Sequence, residues 1–463
     1  MMPITAEIAR KCLEIRYAGL PDEVVDRVKY LLLDHLGVAI RGAQSESSAA
    51  VNRFLSRTAW GEAGVPVIGT SLTAEASHAA LANGAAAHAP ELDDVVNTAS
   101  LHPGVCVMPA ALSAGHLAGA TGKELIAAIT AGYEVMVKLG IALDPAAHYA
   151  RGFHPTGTCG VFGAAVAAAK LLALGESQMI HALGISGSQA AGLLEFLADG
   201  SFTKRFHAGW AAHSGLIAAL LAREGFTGPA TVIEGKFGFL KAYSPAADMA
   251  KISTGWGAPY EVMRTSIKPH ACCRYKQGPI DCILKLVREN DLRAETIERV
   301  TVSVLKAGFA LVAEPRELKA EPKTIVDAQF SMPFGGAVAI LKGKAFLDEY
   351  SLENIHSPKV KELMRRFDCV HDPDIETEFP RKWPAKVEIA TREGQRFITR
   401  LDFPKGDPEN PLTWDEVIDK FNRLTAEVFP EETRRRIVAR IRDLEHLPAV
   451  SELLQLTATP EKA

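Results

Sequence analysis

Apolar residues recur at helical spacing over most of the chain. Val24, Val28 and Leu32 lie four residues apart within the segment 21–41, and Gly42 follows its end. A glycine directly after such a pattern is typical of the end of an amphipathic helix. Similar patterns predict further helices at 4–19, 47–58, 73–89, 109–117, 122–143, 156–175 and 177–196, another opening after Thr203, and three near the end at 413–429, 431–442 and 447–457.

The pattern changes after about Trp256, where alanine becomes rarer and β-branched runs appear. Residues 386–389 and 396–403 alternate as two strands of a hairpin do, and 300–304 reads as another strand. Helices are predicted at 275–288 and 328–341 between these strands. The fold class is therefore mainly α, with a large helical domain over 1–260, a smaller α+β domain over 261–405, and C-terminal helices over 406–463 that rejoin the first domain.

Two charged pairs interrupt apolar helices and are predicted to be structural. Asp34 and His35 lie inside the apolar pattern of 21–41, and a surface or interface pair is the favoured interpretation. Glu134 and Lys138 stand four residues apart, which is the spacing of an ion pair along one helix face.

Composition and charge narrow the class of protein. Hydrophobic residues make up 48% and charged residues 23% of the chain, and the net charge is −4. Neither nucleic acid nor an anionic membrane is therefore expected as the main partner. Glu7, Arg10 and Lys11 occupy the place of a signal peptide's apolar core, so a cytoplasmic protein is expected. The abundance of alanine and glycine predicts closely packed helices.

The stretch NGAAAHAPELDDVVNTASLHPG, residues 83–104, concentrates chemistry-bearing side chains between alanine-rich helices. It contains two imidazoles and three carboxylates within fifteen residues: His88, Glu91, Asp93, Asp94 and His102. A buried acid/base site is the favoured interpretation. A polar loop whose Asp and Asn side chains cap helices, or a metal site, are the alternatives.

Three further passages suggest anion binding. His154 precedes Thr156 and Thr158 at the start of a helix of small residues, and a helix N-terminus attracts carboxylates and phosphates. Lys204 lies in the first turn of a later helix, where a cation opposes the helix dipole unless an anion lies nearby. For Lys204 and the adjacent Arg205, the alternative is that both bases are simply solvated. Lys268 and Arg274 flank a Cys-Cys pair in a segment that suits carboxylate binding, and these cysteines are more typical of inert small hydrophobes than of nucleophiles.

These passages together resemble the MmgE/PrpD family, which includes 2-methylcitrate dehydratase, cis-aconitate decarboxylase and iminodisuccinate epimerase. The resemblance covers essentially the whole chain and rests on the motifs NGAAAHAPELDDV, LHPG, GFHPTGTCGVFGAA, GSQAAGLLEFLADG, TKRFHAGWAAHSG, KPHACCR and AQFSMPF. It implies a helical domain built from both chain ends, a smaller α+β lid domain, a homodimer, and no metal or organic cofactor.

The resemblance also implies roles for individual residues. The family's functional positions fall on Glu91, Asp93, Asp94, His102, His154, Lys204, Lys268 and Arg274. Three positions depart from the pattern of dehydratase-like and decarboxylase members: Glu91 in place of Asp, Val95 in place of a frequent Thr, and Phe334 where some members place a tyrosine. A missing hydroxyl donor at Phe334 would disfavour loss of OH⁻ or CO₂.

The mechanism expected from these residues is proton transfer at a carbon next to a carboxylate. His102 or His154 would exchange the proton, oriented by Asp93, while Lys204 stabilises the developing charge. The small di- or tricarboxylate substrate would be bound by Lys268, Arg274, Glu91, Thr158 and His88. An epimerase of an iminodisuccinate-like substrate is favoured. The alternatives are a hydro-lyase of the 2-methylcitrate dehydratase type, a decarboxylase of the cis-aconitate type, a dimeric carboxylate-binding scaffold, and a metal-dependent hydrolase using His88, Asp93 and His102.

Overall fold

The computed structural model describes residues 3–57 and 64–460. The end of the helix predicted over 47–58 and the start of the connection after it lie outside this part, as do residues 1–2 and 461–463. The chain forms two compact units, one made of Met1–Thr265 with Thr413–Ala463 and the other of Ser266–Leu412.

The first unit is helical. Its helices are α1 Ile4–Glu14, α2 Asp22–Gly42, α3 Glu46–Ser56, α4 Ala76–His88, α5 Gly104–Ala118, α6 Gly122–Ala142, α7 Pro145–Ala150, α8 Pro155–Leu171, α9 Glu176–Gly187, α10 Thr203–Arg223, α11 Phe239–Tyr243 and α12 Ala250–Ser253, with α21 Trp414–Thr425, α22 Glu431–Arg442 and α23 Val450–Leu456 from the chain end. Two-residue strands lie at β1 Val65–Pro66, β2 Thr73–Ala74, β3 Val95–Val96 and β4 Thr265–Ser266. The mainly α class predicted for this part is confirmed.

Helices α4, α5, α8 and α10 pack against one another in the core of this unit. The contact of α4 with α10 depends on glycine, because a Cβ atom on Gly209 would lie 2.2 Å from the carbonyl oxygen of Leu81. A Cβ on Gly215 would likewise lie 2.6 Å from the Cβ of Ala164 on α8. The close helix packing predicted from the small residues is confirmed.

A Gly209→Ala substitution should therefore lower the free energy of unfolding by about 1–3 kcal/mol, because the clash is with backbone and one helix must move. Urea unfolding of the purified variant measures the change. Gly19→Ala is the matched control, since a Cβ atom there has no neighbour within 4 Å. Equal stability of the two variants would contradict this account of the packing.

Helix α5 begins five residues earlier than its predicted start at Pro109, which lies inside the helix. Proline has no N–H to bond the carbonyl of Val105, four residues before it. That carbonyl instead lies beside Gly84 of α4, where a Cβ atom would be 2.8 Å from the oxygen.

The helix predicted over 177–196 was wrong in its second half, because α9 ends at Gly187 and only a 3₁₀ turn follows at Leu194–Leu197.

The predictions for the two charged pairs need correction. Asp34 and His35 are buried, and Asp34 forms an ion pair with Lys420 of α21 at 2.6 Å, so it is not a surface or interface residue. Lys420 also donates a hydrogen bond to the carbonyl of Leu92. The C-terminal segment therefore holds the loop that follows α4. Lys138 likewise pairs with Glu261, at 3.3 Å, instead of the predicted Glu134.

One helix among the described residues, α6, is long and apolar enough to cross a membrane. Its apolar window is 94% buried inside the protein. This is the burial of a core helix.

The second unit combines a sheet with short helices. Strands β5 Ile297–Val304, β6 Phe367–His371, β7 Ala385–Thr391 and β8 Arg396–Leu401 form a sheet of order β6-β5-β7-β8, in which the β5–β6 pair is parallel and the others are antiparallel. The predicted hairpin is β7–β8 and is confirmed. The helices are α13 Gln277–Glu289, α14 Lys306–Val312, α15 Arg316–Ala320, α16 Ile325–Gln329, α17 Met332–Lys342, α18 Leu352–His356, α19 Pro358–Met364 and α20 Pro373–Glu376.

Candidate active site

The loop between α4 and α5 is fixed by Asp94. Its carboxylate accepts hydrogen bonds from the Tyr133 hydroxyl at 2.6 Å and from the backbone N–H of Gly104 at 3.0 Å, at the start of α5. Burial raises the pKa of Asp94 to about 7, while the Tyr133 hydrogen bond acts in the opposite direction. Gly104 is required here, because a Cβ atom would lie 2.7 Å from the Asp94 oxygen. Asp94 therefore anchors the loop to the core.

Asp93 joins two histidines through one carboxylate oxygen. Its Oδ2 lies 2.8 Å from Nδ1 of His88 and 3.1 Å from Nδ1 of His102. Nδ1 of His102 is also 2.7 Å from the backbone carbonyl of Asp94. Because both neighbours of that nitrogen are acceptors, Nδ1 of His102 carries a hydrogen. Its Nε2 is then the nitrogen that can exchange a proton.

Four histidines of this unit, His102, His88, His154 and His207, form a continuous row. Ring centroids are 5.2 Å apart for His102 and His88, 5.8 Å for the stacked rings of His88 and His154, and 5.4 Å for His154 and His207. Nδ1 of His154 and Nδ1 of His207 are within hydrogen-bond distance, at 3.2 Å. The row brings together side chains from α4, the His102 loop, the start of α8 and α10.

Burial keeps most of this row uncharged. Burial first and the positive charge of Lys204 second lower the pKa of His207 to about 4. The same two causes, opposed by the charge of Asp93, lower the pKa of His88 to about 4. The pKa of His154 is lowered well below its usual value by burial and by the neighbouring histidines and Lys204. These three imidazoles are neutral at pH 7.

The C2-proton resonances of His88 and His207 should accordingly stay constant from about pH 8 to about pH 5.5, whereas an unperturbed imidazole titrates near 6.5. Proton NMR measures this, with the signals assigned from His88→Gln and His207→Asn variants. A midpoint near 6.5 for either ring would show that it is not held neutral by burial.

Lys204 contacts the carboxylate of Glu91, and both side chains are buried. Glu91 has a φ of +58°, which is uncommon for a residue with a side chain. Such a conformation persists only where surrounding contacts maintain it, and it is often found at functional sites. The Lys204–Glu91 pair places a positive and a negative charge beside the histidine row.

The two threonines at the start of α8 bond to protein groups. The Thr156 hydroxyl accepts a hydrogen bond from the backbone N–H of His102 at 3.2 Å. The Thr158 hydroxyl lies 2.9 Å from Nε2 of His148 and 3.4 Å from the carbonyl of His154. Thr156 thereby links the His102 loop to α8, a role that the sequence does not reveal.

Two predicted carboxylate ligands, Lys268 and Arg274, lie in the second unit, and Arg274 is paired there with a buried aspartate. Arg274 donates two hydrogen bonds to Asp407, at 2.6 and 2.7 Å, and its guanidinium lies 4.7 Å from the Trp383 ring centroid. Asp407 also accepts a hydrogen bond from Ser266, at 2.6 Å. Lys268 is buried. Asp407 lies outside every recognised motif and is not among the residues predicted from the sequence.

Phe334 stands where some members of the family place a tyrosine, so its surroundings show whether another hydroxyl group lies nearby. The Phe334 ring is fully buried, and its centroid lies 5.6 Å from that of Tyr350. The Tyr350 hydroxyl would be 3.0 Å from a Cβ atom on the adjacent Gly335. A phenolic hydroxyl thus lies next to this helix, supplied by Tyr350.

Among residues 3–57 and 64–460, no group of three His, Cys, Asp or Glu side chains has an arrangement suited to a metal ion. His88 and His102 both direct Nδ1 at the same Asp93 oxygen. In the described part of the chain, His88, His102 and Asp93 are therefore held together by hydrogen bonds.

Comparison with known proteins defines the class. The chain matches the MmgE/PrpD N-terminal domain over residues 6–251 and the MmgE/PrpD C-terminal domain over residues 270–446. This protein belongs to the MmgE/PrpD family, as its motifs predict. It is 30% identical to a cis-aconitate decarboxylase-like protein of Aspergillus oryzae, over 98% of this chain and 97% of that protein. It is 28% identical to cis-aconitate decarboxylase of Aspergillus terreus, over 99% and 97%, and 26% identical to that of Mus musculus, over 99% and 94%. The relatives in Aspergillus terreus and Mus musculus are decarboxylases, and decarboxylases are lyases.

Proposed function

We propose that this protein is a lyase that forms a carbanion next to a carboxylate of a small polycarboxylate, with cis-aconitate as the first substrate to test. The observation that carries the proposal is the Asp93–His102 pair. Asp93 holds the hydrogen on Nδ1, which leaves Nε2 to exchange a proton with a substrate carbon. A carboxylate that orients an imidazole also stabilises the imidazolium that forms when Nε2 gains a proton.

The same arrangement serves loss of CO₂ and loss of water. In decarboxylation of cis-aconitate, the bond from carbon to the departing carboxylate breaks. The electron pair moves through the adjacent double bond, and protonated His102 delivers a proton to the far carbon. In dehydration, Nε2 of His102 removes the α-proton and hydroxide leaves. Both routes pass through negative charge delocalised onto a carboxylate, which Lys204 stabilises.

The relatives change the order of the alternatives. Sequence departures at Glu91, Val95 and Phe334 favour an epimerase, whereas the relatives in both fungi and mouse are decarboxylases or resemble one. A lyase is therefore the better supported proposal, and epimerisation becomes an outcome of the test. Lys268 and Arg274 stay predicted carboxylate ligands.

Proton NMR in D₂O distinguishes these reactions. The purified protein is incubated separately with cis-aconitate, 2-methylcitrate and iminodisuccinate. Two new geminal vinyl signals from cis-aconitate would support decarboxylation. Replacement of the methyl doublet of 2-methylcitrate by a downfield methyl singlet, as of a methyl group on a double bond, would support dehydration. Loss of the α-proton signal of iminodisuccinate without a vinyl signal would replace the lyase by an epimerase. No change in any of the three acids would refute the proposal for these substrates.

A further inference from the structure

We infer that His207 is a positioning residue for His154, which it holds as the tautomer with hydrogen on Nε2 and whose proton it replaces after transfer. One part of this inference rests on the proposed function, namely that His154 donates its proton to a substrate oxygen. His207 lies outside the sequence-predicted site residues.

The contact between the two rings makes the tautomer of one depend on the tautomer of the other. Nδ1 of His154 and Nδ1 of His207 are 3.2 Å apart, so one nitrogen donates a hydrogen and the other accepts it. When His207 is the donor, the hydrogen of neutral His154 must be on Nε2. Its ring then offers an N–H group without carrying a charge.

One segment holds both rings in place. The backbone N–H of His154 donates to the carbonyl of Gly192 at 3.0 Å. A Cβ atom on Gly192 would lie 3.4 Å from the His207 ring and 3.5 Å from Cβ of His154. Phe196 packs its ring at 6.0 Å from both imidazoles, at steep angles. The contact between the two histidines is therefore enclosed on this side by protein.

Lys204 makes a neutral donor preferable to a charged one. It lies one helical turn before His207 on α10, and its charge disfavours a proton being added to either imidazole. A cationic His154 would be both buried and next to this lysine. A pair of neutral rings that share one hydrogen avoids both costs.

The proton transfer balances in three linked steps. The Nε2–H bond of His154 breaks as an O–H bond forms on the substrate, either on the leaving hydroxide or on the carboxylate that takes up charge. The Nδ1 hydrogen of His207 moves to Nδ1 of His154, and a solvent proton joins Nε2 of His207. His207 keeps 8% of its surface accessible, against 3% for His154, so it is the ring nearer to solvent. Exchange with water after product release restores the starting tautomers.

Activity tests this relay with His207→Ala and with His213→Asn as the control. His213 lies on the same helix, where its ring partners are Trp210 and His78, and neither of these belongs to the row. We expect His207→Ala to lower kcat about 10- to 100-fold, part of the usual effect of acid–base catalysis, with KM little changed. Added imidazole should restore turnover, and thiazole, which has a similar shape but no N–H, should not. Equal rescue by both would show that His207 only fills space. Unchanged kcat in His207→Ala would overturn the inference.

A measurement without substrate separates this inference from the proposed function. In the ¹⁵N-histidine-labelled wild type, we expect a coupling between the two Nδ1 atoms across the hydrogen bond and an Nε2–H tautomer for His154, assigned with His154→Asn. In His207→Asn the coupling should vanish, and in His213→Asn it should persist. Absence of the coupling, or an Nδ1–H tautomer for His154, would overturn the inference even if the enzyme is active. If none of the three acids reacts, the proposed function fails and the coupling alone decides.

Discussion

Replacing His102 with alanine is expected to lower kcat about 10²- to 10⁴-fold on whichever of the three acids the wild type converts, the usual effect of a positioned proton-transfer group. The side chain bonds to the Asp93 carboxylate and the Asp94 carbonyl through Nδ1 and keeps 14% of its surface accessible. Alanine removes both contacts together with Nε2. Steady-state kinetics measures the loss.

His181→Ala is the control for His102→Ala. His181 bonds through Nδ1 to the carbonyl of Gly228 and is partly buried, but it lies on α9, away from the histidine row. Its removal should leave kcat within about twofold of the wild type. Circular dichroism and the melting temperature should be close to wild type for both variants. A His102→Ala enzyme that keeps more than roughly a tenth of the wild-type kcat would remove His102 from the proton transfer.

Replacing Lys204 with methionine is expected to lower kcat/KM about 10²- to 10³-fold, which is typical for loss of one group that stabilises developing negative charge. It should also lower stability, because Glu91 would remain buried without its cation, and breaking a buried pair commonly costs about 3–5 kcal/mol. Kinetics and urea unfolding measure the two effects separately.

The double variant Lys204→Met/Glu91→Gln separates catalysis from stability. Neutralising Glu91 removes the uncompensated buried charge, so much of the lost stability should return while kcat/KM stays low. Recovery of activity together with stability would mean that Lys204 acts only as the structural partner of Glu91. The single variant Glu91→Gln completes the cycle and gives the coupling between the two residues.

The sequence predicts local structure well where the spacing of apolar residues and the position of turn-forming glycines agree. Helix α2 ends at Gly42, one residue beyond the predicted end at 41, and the hairpin β7–β8 follows from alternation around a Gly-containing turn. Pro109 misled the prediction of α5. A proline inside a helix is tolerated when the carbonyl that loses its partner has another environment, here beside Gly84. That environment comes from another helix and is not encoded nearby.

In the candidate site, too, contacts between residues far apart in the sequence could not be predicted. Residue types and motifs single out Asp93 and His102, but not that one oxygen of Asp93 serves two histidines. His207 could have been noticed, because it stands three residues after Lys204 and so shares a helix face with it. Asp407 could not, since it lies 133 residues from Arg274 in a segment without catalytic pattern.

The glycine-mediated packing of α4, α8 and α10 has a consequence for engineering this enzyme. His88 ends α4, His154 precedes α8 and His207 lies on α10, so the spacing of the imidazoles follows the spacing of three backbones. Glycine-to-alanine exchange, a common way to make helices more thermostable, would spread these backbones and misalign the row from a distance.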